Sequence, residues 1–346
     1  MTFTKKTTIT VSVIAISLII GVLSIYYILF FPNISAKTDE KAYLYIYPNS
    51  TFATVVGGIS QKAEISNSAT FNLTAKLLKY NNKTIRAGRY EIPKQTGNMA
   101  FLRMLRNGQQ TPVKLSFNNI RTGEQLAGRL GEQLLTDSLT FINLLNDSAF
   151  LAQYNFTPEN AKAMFIPDTY DIYWTIKPQD FFKRMDNEYQ AFWTESRKQK
   201  AAAIPLTPLQ VSVLASIVEE ESNNQAERPI IAGLYINRLK NDLKLQADPT
   251  VKYALGDFGL RRIMVSDILK ARNPYNTYLY HGLPPAPIRI ASKSAIDAVL
   301  NFVHHNYLYM CAKETFDGTH NFAVTYAEHQ QNAKKYQQAL NARNIK

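Results

Sequence analysis

The hydrophobic positions of this chain follow three patterns, and each predicts a different element. From Ile9 to Phe31 they run on without a charge for roughly 23 residues, enough to cross a hydrocarbon layer of ~30 Å as one helix. Ala42–Tyr47 (AYLYIY) and Thr84–Ile92 (TIRAGRYEI) are short runs rich in aromatic and β-branched residues, which predict strands. Between them, Thr51–Ile59 and Ala69–Tyr80 carry helical spacing, so strand–helix–helix–strand forms one small α/β unit. A further helix is predicted over Asn98–Arg106, closed by Asn107-Gly108, and a strand over Pro112–Phe117. The domain boundary falls near residue 110.

Beyond it the pattern is mainly helical. Thr122-Gly-Glu-Gln125 is a capping box, in which a threonine hydroxyl and a glutamine amide satisfy the free N–H groups of a helix start. That helix should run toward Leu135. Leu139–Leu145 predicts a shorter helix, Phe165–Tyr170 a proline-broken turn, Pro178–Trp193 an aromatic helix and Lys198–Ala203 a solvated connector. Thr207-Pro208-Leu209-Gln210 sets the start of a helix reaching toward Ser222, with proline at its first position. Asn224-Gln-Ala-Glu227 offers another box, for a helix through Leu239. Asp317-Gly318 turns a hairpin between Tyr307–Ala312 and His320–Val324, and Thr325-Tyr-Ala-Glu328 caps the last helix. The fold class is therefore α+β: a short tail and transmembrane helix (residues 1–37), a small α/β domain (38–110), and a larger, mainly helical domain with a β-hairpin (111–346).

Composition adds a class of partner. The formal charge of +12 suits nucleic acid, anionic lipid or anionic cell-wall polymer. No zinc-finger spacing, ribonucleoprotein motif or compact basic helix is present, which sets nucleic acid aside. Lys5 and Lys6 before the apolar run, with Tyr26, Tyr27, Phe30 and Phe31 at its far end, favour a retained anchor with a cytoplasmic N-terminus. A cleaved signal peptide, cut after Ile34-Ser35-Ala36, is the competing reading, although the run is longer than an ordinary signal core. The single cysteine, Cys311, is expected to be a small core residue. Five histidines show no ligand spacing, so neither metal nor cofactor is expected.

The most unusual stretch is LASIVEEESNN (214–224), an apolar helix ending in three glutamates. At ~100° per residue, Leu209, Val211, Val213, Leu214, Ile217 and Val218 cover a broad apolar arc. Glu219 lies opposite, in line with Ser212, Ala215 and Ser216, a strip of small side chains open to a bulky ligand. Glu221 falls within the apolar arc and is expected to be pinned beneath. Carboxylates at a helix C-terminus oppose its dipole and crowd one another. A covered Glu219 should therefore stay protonated near neutrality, able to give a proton to a leaving oxygen and take one back. A solvated helix end is the plain alternative.

Leu214-Ala-Ser-Ile-Val-Glu219-x-Glu221, Ile236-Asn237-Arg238-Leu239, Leu245-Gln246-Ala247-Asp248-Pro249-Thr250-Val251, Pro274-Tyr275-Asn276-Thr277-Tyr278 and Gly282-Leu-Pro-Pro285-x-Pro287-Ile288 stand in that order. Pro167-Asp-Thr-Tyr170 precedes them and Gly318-x-His320-x-Phe322 follows. The set resembles the MltG/YceG-like endolytic murein transglycosylases, membrane-anchored bacterial enzymes that cut the glycan strands of peptidoglycan. The resemblance covers residues 110–346 as the catalytic region and, more loosely, 40–95 as a LysM-like unit. It implies Glu219 as the catalytic residue, and it departs at Glu220, where lysine is common, and at His281 and Ala286. It also implies a place at the bacterial cytoplasmic membrane, with the catalytic domain outside the cytoplasm, near peptidoglycan synthases or the elongation and division machinery.

Peptidoglycan sugars offer hydroxyls, N-acetyl groups and apolar ring faces. Gln246, Asn273 and Asn276 can pair with the polar groups, and Tyr275 and Tyr278 can lie on the faces. Pro284, Pro285 and Pro287 would stiffen the cleft wall. Glu221 would tune Glu219, Asp248 reads first as a helix cap before Pro249, and His320 would orient a loop. The expected reaction is protonation of the glycosidic oxygen between N-acetylmuramic acid and N-acetylglucosamine, with attack of the muramyl C6 hydroxyl on C1 leaving a 1,6-anhydro end. Because the substrate supplies the nucleophile, a second carboxylate is not obligatory. A non-catalytic, membrane-anchored peptidoglycan-binding protein is the other reading.

Overall fold

The computed structural model describes residues 5–260 and 262–343. The apolar run folds as one helix, Lys5–Phe30, and within it Ile9–Phe30 is long and apolar enough to cross a membrane, consistent with anchoring. The chain is mixed α+β and divides into two compact units.

The first unit runs to Lys114 and takes in residues 133–135 and 170–176. Ala42–Ile46 pairs antiparallel with Gly88–Ile92, Leu44 opposite Tyr90, and the two helices between them start where their caps are. Thr51 Oγ1 accepts from Thr54 N, and Asn67 Oδ1 accepts from Ala69 N and Thr70 N, opening Phe52–Lys62 and Ser68–Leu77. Sequence reasoning missed a second sheet of three short strands in the order Ala63–Ile65, Pro32–Ala36, Gln95–Gly97. The tripeptide Ile34-Ser35-Ala36, weighed above as a cleavage site, is its middle strand, with Ile34 fully buried; a cut there would break the pairing. The strand expected from Thr84 begins only at Gly88, because 81–84 form a turn closed by the Thr84 hydroxyl and Asn81. Asn98–Asn107 ends at Gly108 in the left-handed conformation that glycine tolerates best. Ile34, Leu44, Ile59, Phe71, Tyr90 and Phe101 fill the core.

The second unit holds the rest and is mainly helical, with one hairpin, Tyr309–Ala312 against His320–Ala323. Its capping boxes at Thr207/Gln210 and Thr325/Glu328 are formed, and Thr122 and Gln125 likewise exchange bonds with each other's backbone. The box expected at Asn224–Glu227 is not: Asn224 Oδ1 accepts from Ala226 N in a tight turn, and Arg228–Lys240 starts without a side-chain cap. Residues read as a solvated connector lie in a helix, Glu195–Ala203, capped by Thr194. Phe141, Phe165, Phe181 and Phe182 meet at ring-centroid distances of 5.7–6.2 Å and build one end of the core.

At the centre lies Pro208–Glu221, packed against Arg228–Lys240, Asp248–Leu255 and Lys293–Leu300. Every residue from Val211 to Glu219 is buried, so the helix is covered all round rather than on one arc.

Candidate active site

The three glutamates that end the central helix have three separate environments. Glu219, expected on an open strip, is 9% exposed and covered by the segment leading into Lys293–Leu300. Its Oε2 accepts from Ser292 N at 2.9 Å and lies 3.5 Å from Arg289 Nε; its Oε1 is 3.8 Å from Arg228 Nη1. The strip of small side chains is sealed in the same way, with Ser216 Oγ accepting from Ile288 N at 3.0 Å. Glu220 is clamped by Arg121, through Nε at 3.1 Å and Nη2 at 2.9 Å, and by Arg289 Nη1 at 2.9 Å. Three arginines thus supply the opposite charge that a helix C-terminus lacks.

Glu221, expected beneath the helix, faces a cavity of about 440 Å³ instead. Its Oε1 accepts from the hydroxyl of the buried Tyr235 at 2.7 Å, and no cation pairs with it among the described residues. Burial pushes its pKa up to about 7; the Tyr235 hydrogen bond and the charge of Lys252 work against that rise, and the charges of Asp248 and Glu220 add to it. A carboxylic acid in such a site can be protonated near neutral pH and still reach a ligand.

The same cavity gathers Gln246, Asp248, Tyr278 and His320 from the expected set. Tyr278 donates its hydroxyl to Asp248 Oδ1 at 2.6 Å. Asp248 is not the helix cap: it is the first residue of its helix, with Ala247 at the cap position, and its side chain is turned to the cavity rather than to the helix N–H groups. Gln246 has positive φ (53°) and accepts from Arg238 Nη2 through its Oε1. Its own N–H donates to Thr277 O at 3.1 Å, which ties the two motifs together, and Thr277 Oγ1 also accepts from Ala247 N at 3.0 Å. His320 Nδ1 lies 3.0 Å from Glu227 Oε2, and its N–H donates to Glu227 Oε1 at 2.8 Å, which fixes the start of the second hairpin strand at the cavity edge.

Three of the expected sugar contacts lie elsewhere. Asn276 is 0% exposed, and its Nδ2 donates to Ile268 O and Ala271 O at 2.9 Å each, so it closes a loop and does not face the cavity. Asn273 Oδ1 caps the same loop by accepting from Tyr275 N at 3.0 Å. Tyr275 is buried against Tyr253 at 4.7 Å and lines a separate cavity of about 400 Å³ with Lys162 and Phe258. Pro284, Pro285 and Pro287 do not line the Glu221 cavity either; the chain after them covers Glu219.

Sequence reasoning missed Tyr235, Arg238, Tyr309, Tyr326 and His329, which supply the other polar and aromatic side chains of the lining. Arg238 is the arginine of the Asn237-Arg238 motif, and its Nε and Nη1 hold Lys244 O and Leu308 O at 2.8 and 2.7 Å. Tyr309 stacks on His329 at 5.5 Å. Burial and the nearby Arg238 lower the His329 pKa. Cys311 is half-buried at the cavity wall rather than in the core, and burial raises its thiol pKa.

The fold is thus a mixed α+β one in which a central buried helix delivers one carboxyl to a polar, tyrosine-lined cavity. The chain belongs to the YceG-like family, whose model matches residues 44–335. It is 36% identical over 154 residues to the endolytic murein transglycosylase of Bacillus subtilis, covering 44% of this chain and 40% of that protein. It is 26% identical over 333 residues to the endolytic murein transglycosylase of Streptococcus pneumoniae, covering 86% of this chain and 59% of that one. The chain thus spans less than two thirds of the length of either relative. The crystal structure of a yceG-like protein from Listeria monocytogenes superposes with a TM-score of 0.56 at 25% identity, covering 85% of this chain and 99% of that one.

Proposed function

We propose that this chain is an endolytic peptidoglycan transglycosylase in which Glu221, rather than Glu219, carries the proton. The observation that carries the reading is the carboxyl of Glu221 at the tyrosine-lined cavity, hydrogen-bonded by Tyr235 and with a pKa raised to about 7. Protonated Glu221 gives its proton to the glycosidic oxygen between N-acetylmuramic acid and N-acetylglucosamine as the C1–O bond breaks. The C6 hydroxyl of the muramyl residue then bonds to C1, and its proton returns to the Glu221 carboxylate. The acid is regenerated and the product ends in a 1,6-anhydro ring.

Gln246, Asp248, Tyr278 and His320 line the cavity and supply donors and acceptors for the sugar hydroxyls and acetamido groups, with the tyrosine ring available to a sugar face. Glu219, the residue that the resemblance implies as the acid, braces the Ile288–Ser292 segment through Arg228, Arg289 and Ser292. Asn273, Tyr275 and Asn276 shape the neighbouring loop.

Within residues 1–37, the helix Lys5–Phe30 would cross the bacterial cytoplasmic membrane once and leave the remainder outside the cytoplasm. Residues 38–110 act as a LysM-like glycan-holding domain and 111–346 as the catalytic domain, working beside the machinery that synthesises peptidoglycan. Family membership and the two similar transglycosylases support this reading.

The test is mass analysis of products from glycan strands incubated with the purified full chain. Anhydromuramyl ends are expected. Reducing ends would make it a hydrolase, with Asp248 as the second carboxylate, and binding without any product would make it a wall-binding protein.

A further inference from the structure

The helix Ser68–Leu77 has two apolar faces, and the core uses one. Phe71, Thr74 and Ala75 are buried, whereas Leu73 and Leu77 are 45% and 62% exposed. Four residues apart, the two leucines form one stripe on the helix surface. Single exposed leucines are ordinary, but a stripe is a contact surface when something nearby can cover it.

Its place in the fold says what covers it. Thr74, on the same helix and ~60–100° around the axis from Leu77 and Leu73, places its Oγ1 3.5 Å from Ile28 O while donating its proton to Thr70 O at 2.8 Å. Asn98, which opens Asn98–Asn107, donates through Nδ2 to the same carbonyl at 2.9 Å. Ile28 belongs to the last turn of the apolar helix, among the exposed rings of Tyr26, Tyr27, Phe30 and Phe31. Only Phe31 separates that helix from the strand Pro32–Ala36. A unit joined to the end of a membrane helix by one residue, the Asn98 bond and the packing of two of its own helices has no tether with which to stand away from the bilayer. The exposed cations Lys76 and Lys79 beside the leucines, and Arg103 and Arg106 on the second helix that packs on the anchor, enter no ion pair among the described residues.

We propose that the first unit lies on the outer face of the membrane its own helix spans, with Leu73 and Leu77 in the headgroup–acyl boundary and these cations among the lipid phosphates. Amphipathic helices with aliphatic side chains flanked by lysine and arginine bind interfaces in this way. The inference rests on the proposed anchor, and deepens it from a tether to a docked surface.

The test uses the full chain with Cys311→Ser and one new cysteine, Ile20→Cys, Ala53→Cys or Leu77→Cys, each labelled with an environment-sensitive fluorophore. The protein is reconstituted, domains outward, in phosphatidylethanolamine–phosphatidylglycerol vesicles. Nitroxide-bearing lipids should quench the labels at positions 20 and 77 severalfold and spare position 53, an exposed site on Phe52–Lys62; aqueous iodide should show the reverse. If position 77 behaves like position 53 while position 20 stays quenched, the docked surface is wrong and the anchor stands. If position 20 also escapes lipid quenching, the anchor reading fails and this proposal fails with it.

Discussion

Glu219 and Glu221 sit two residues apart on one helix and meet opposite surroundings. Glu219 turns into packed protein and finds Arg228, Arg289 and a backbone N–H. Glu221 turns into a cavity and finds a tyrosine hydroxyl, with Asp248 and Glu220 as its nearest electrostatic influences of like sign. In the proposed reading the same side chain is structural where arginines enclose it and reactive where burial outweighs the more distant charge of Lys252 and leaves the proton on. What separates the two roles is which neighbours cover the helix, not the helix itself.

Glu221→Gln should lower turnover of glycan strands by about a thousandfold, within the range general acid–base groups contribute, while the thermal transition is kept or raised. The sign follows from linkage. A carboxyl whose folded pKa is raised from 4.5 to about 7 costs stability progressively as pH rises through that window, so the glutamine variant should gain most above pH 7.

Glu219→Gln should do the reverse. It leaves Arg228 and Arg289 buried beside a neutral amide, at a cost of about 3 kcal/mol in denaturant unfolding, while the folded fraction keeps most of its turnover. Asn276→Ala removes two buried acceptor partnerships and should cost about 2 kcal/mol; Gln246→Ala, on the cavity wall, should raise KM with little change in stability. Tyr235→Phe is the smallest change. It removes the hydrogen bond that restrains the Glu221 pKa, so the alkaline fall in kcat/KM, expected above pH ~7, should move upward by less than about one unit.

Much of this architecture is legible from local chemistry. Thr122, Thr207 and Thr325 mark helix starts by capping, and the apolar run to Phe30 and the Asp317-Gly318 hairpin follow from pattern alone. The strands Pro32–Ala36, Ala63–Ile65 and Gln95–Gly97 were not legible, because each is short and gains its stability from partners roughly thirty to sixty residues away. The same limit governs the site. A helical wheel puts Glu219 and Glu221 on different faces but does not say that Ser292 closes one and Tyr235 opens onto the other. Asn276 reads as a sugar ligand by its side chain, and only the carbonyls of Ile268 and Ala271 show it to be spent on the fold. Tyr309, Tyr326 and His329 reach the cavity from the hairpin and last helix, through packing that no local motif encodes.

On the proposed mechanism the Glu221 carboxyl holds its proton near neutral pH. Carbon-13 labelling of glutamate carboxyl groups and an NMR titration of the full chain in micelles reads this directly. One carboxyl resonance should titrate near pH 7, lost in Glu221→Gln and kept in Glu219→Gln. A resonance near pH 7 that disappears with Glu219→Gln, or the lack of any such titration in the parent chain, would contradict it.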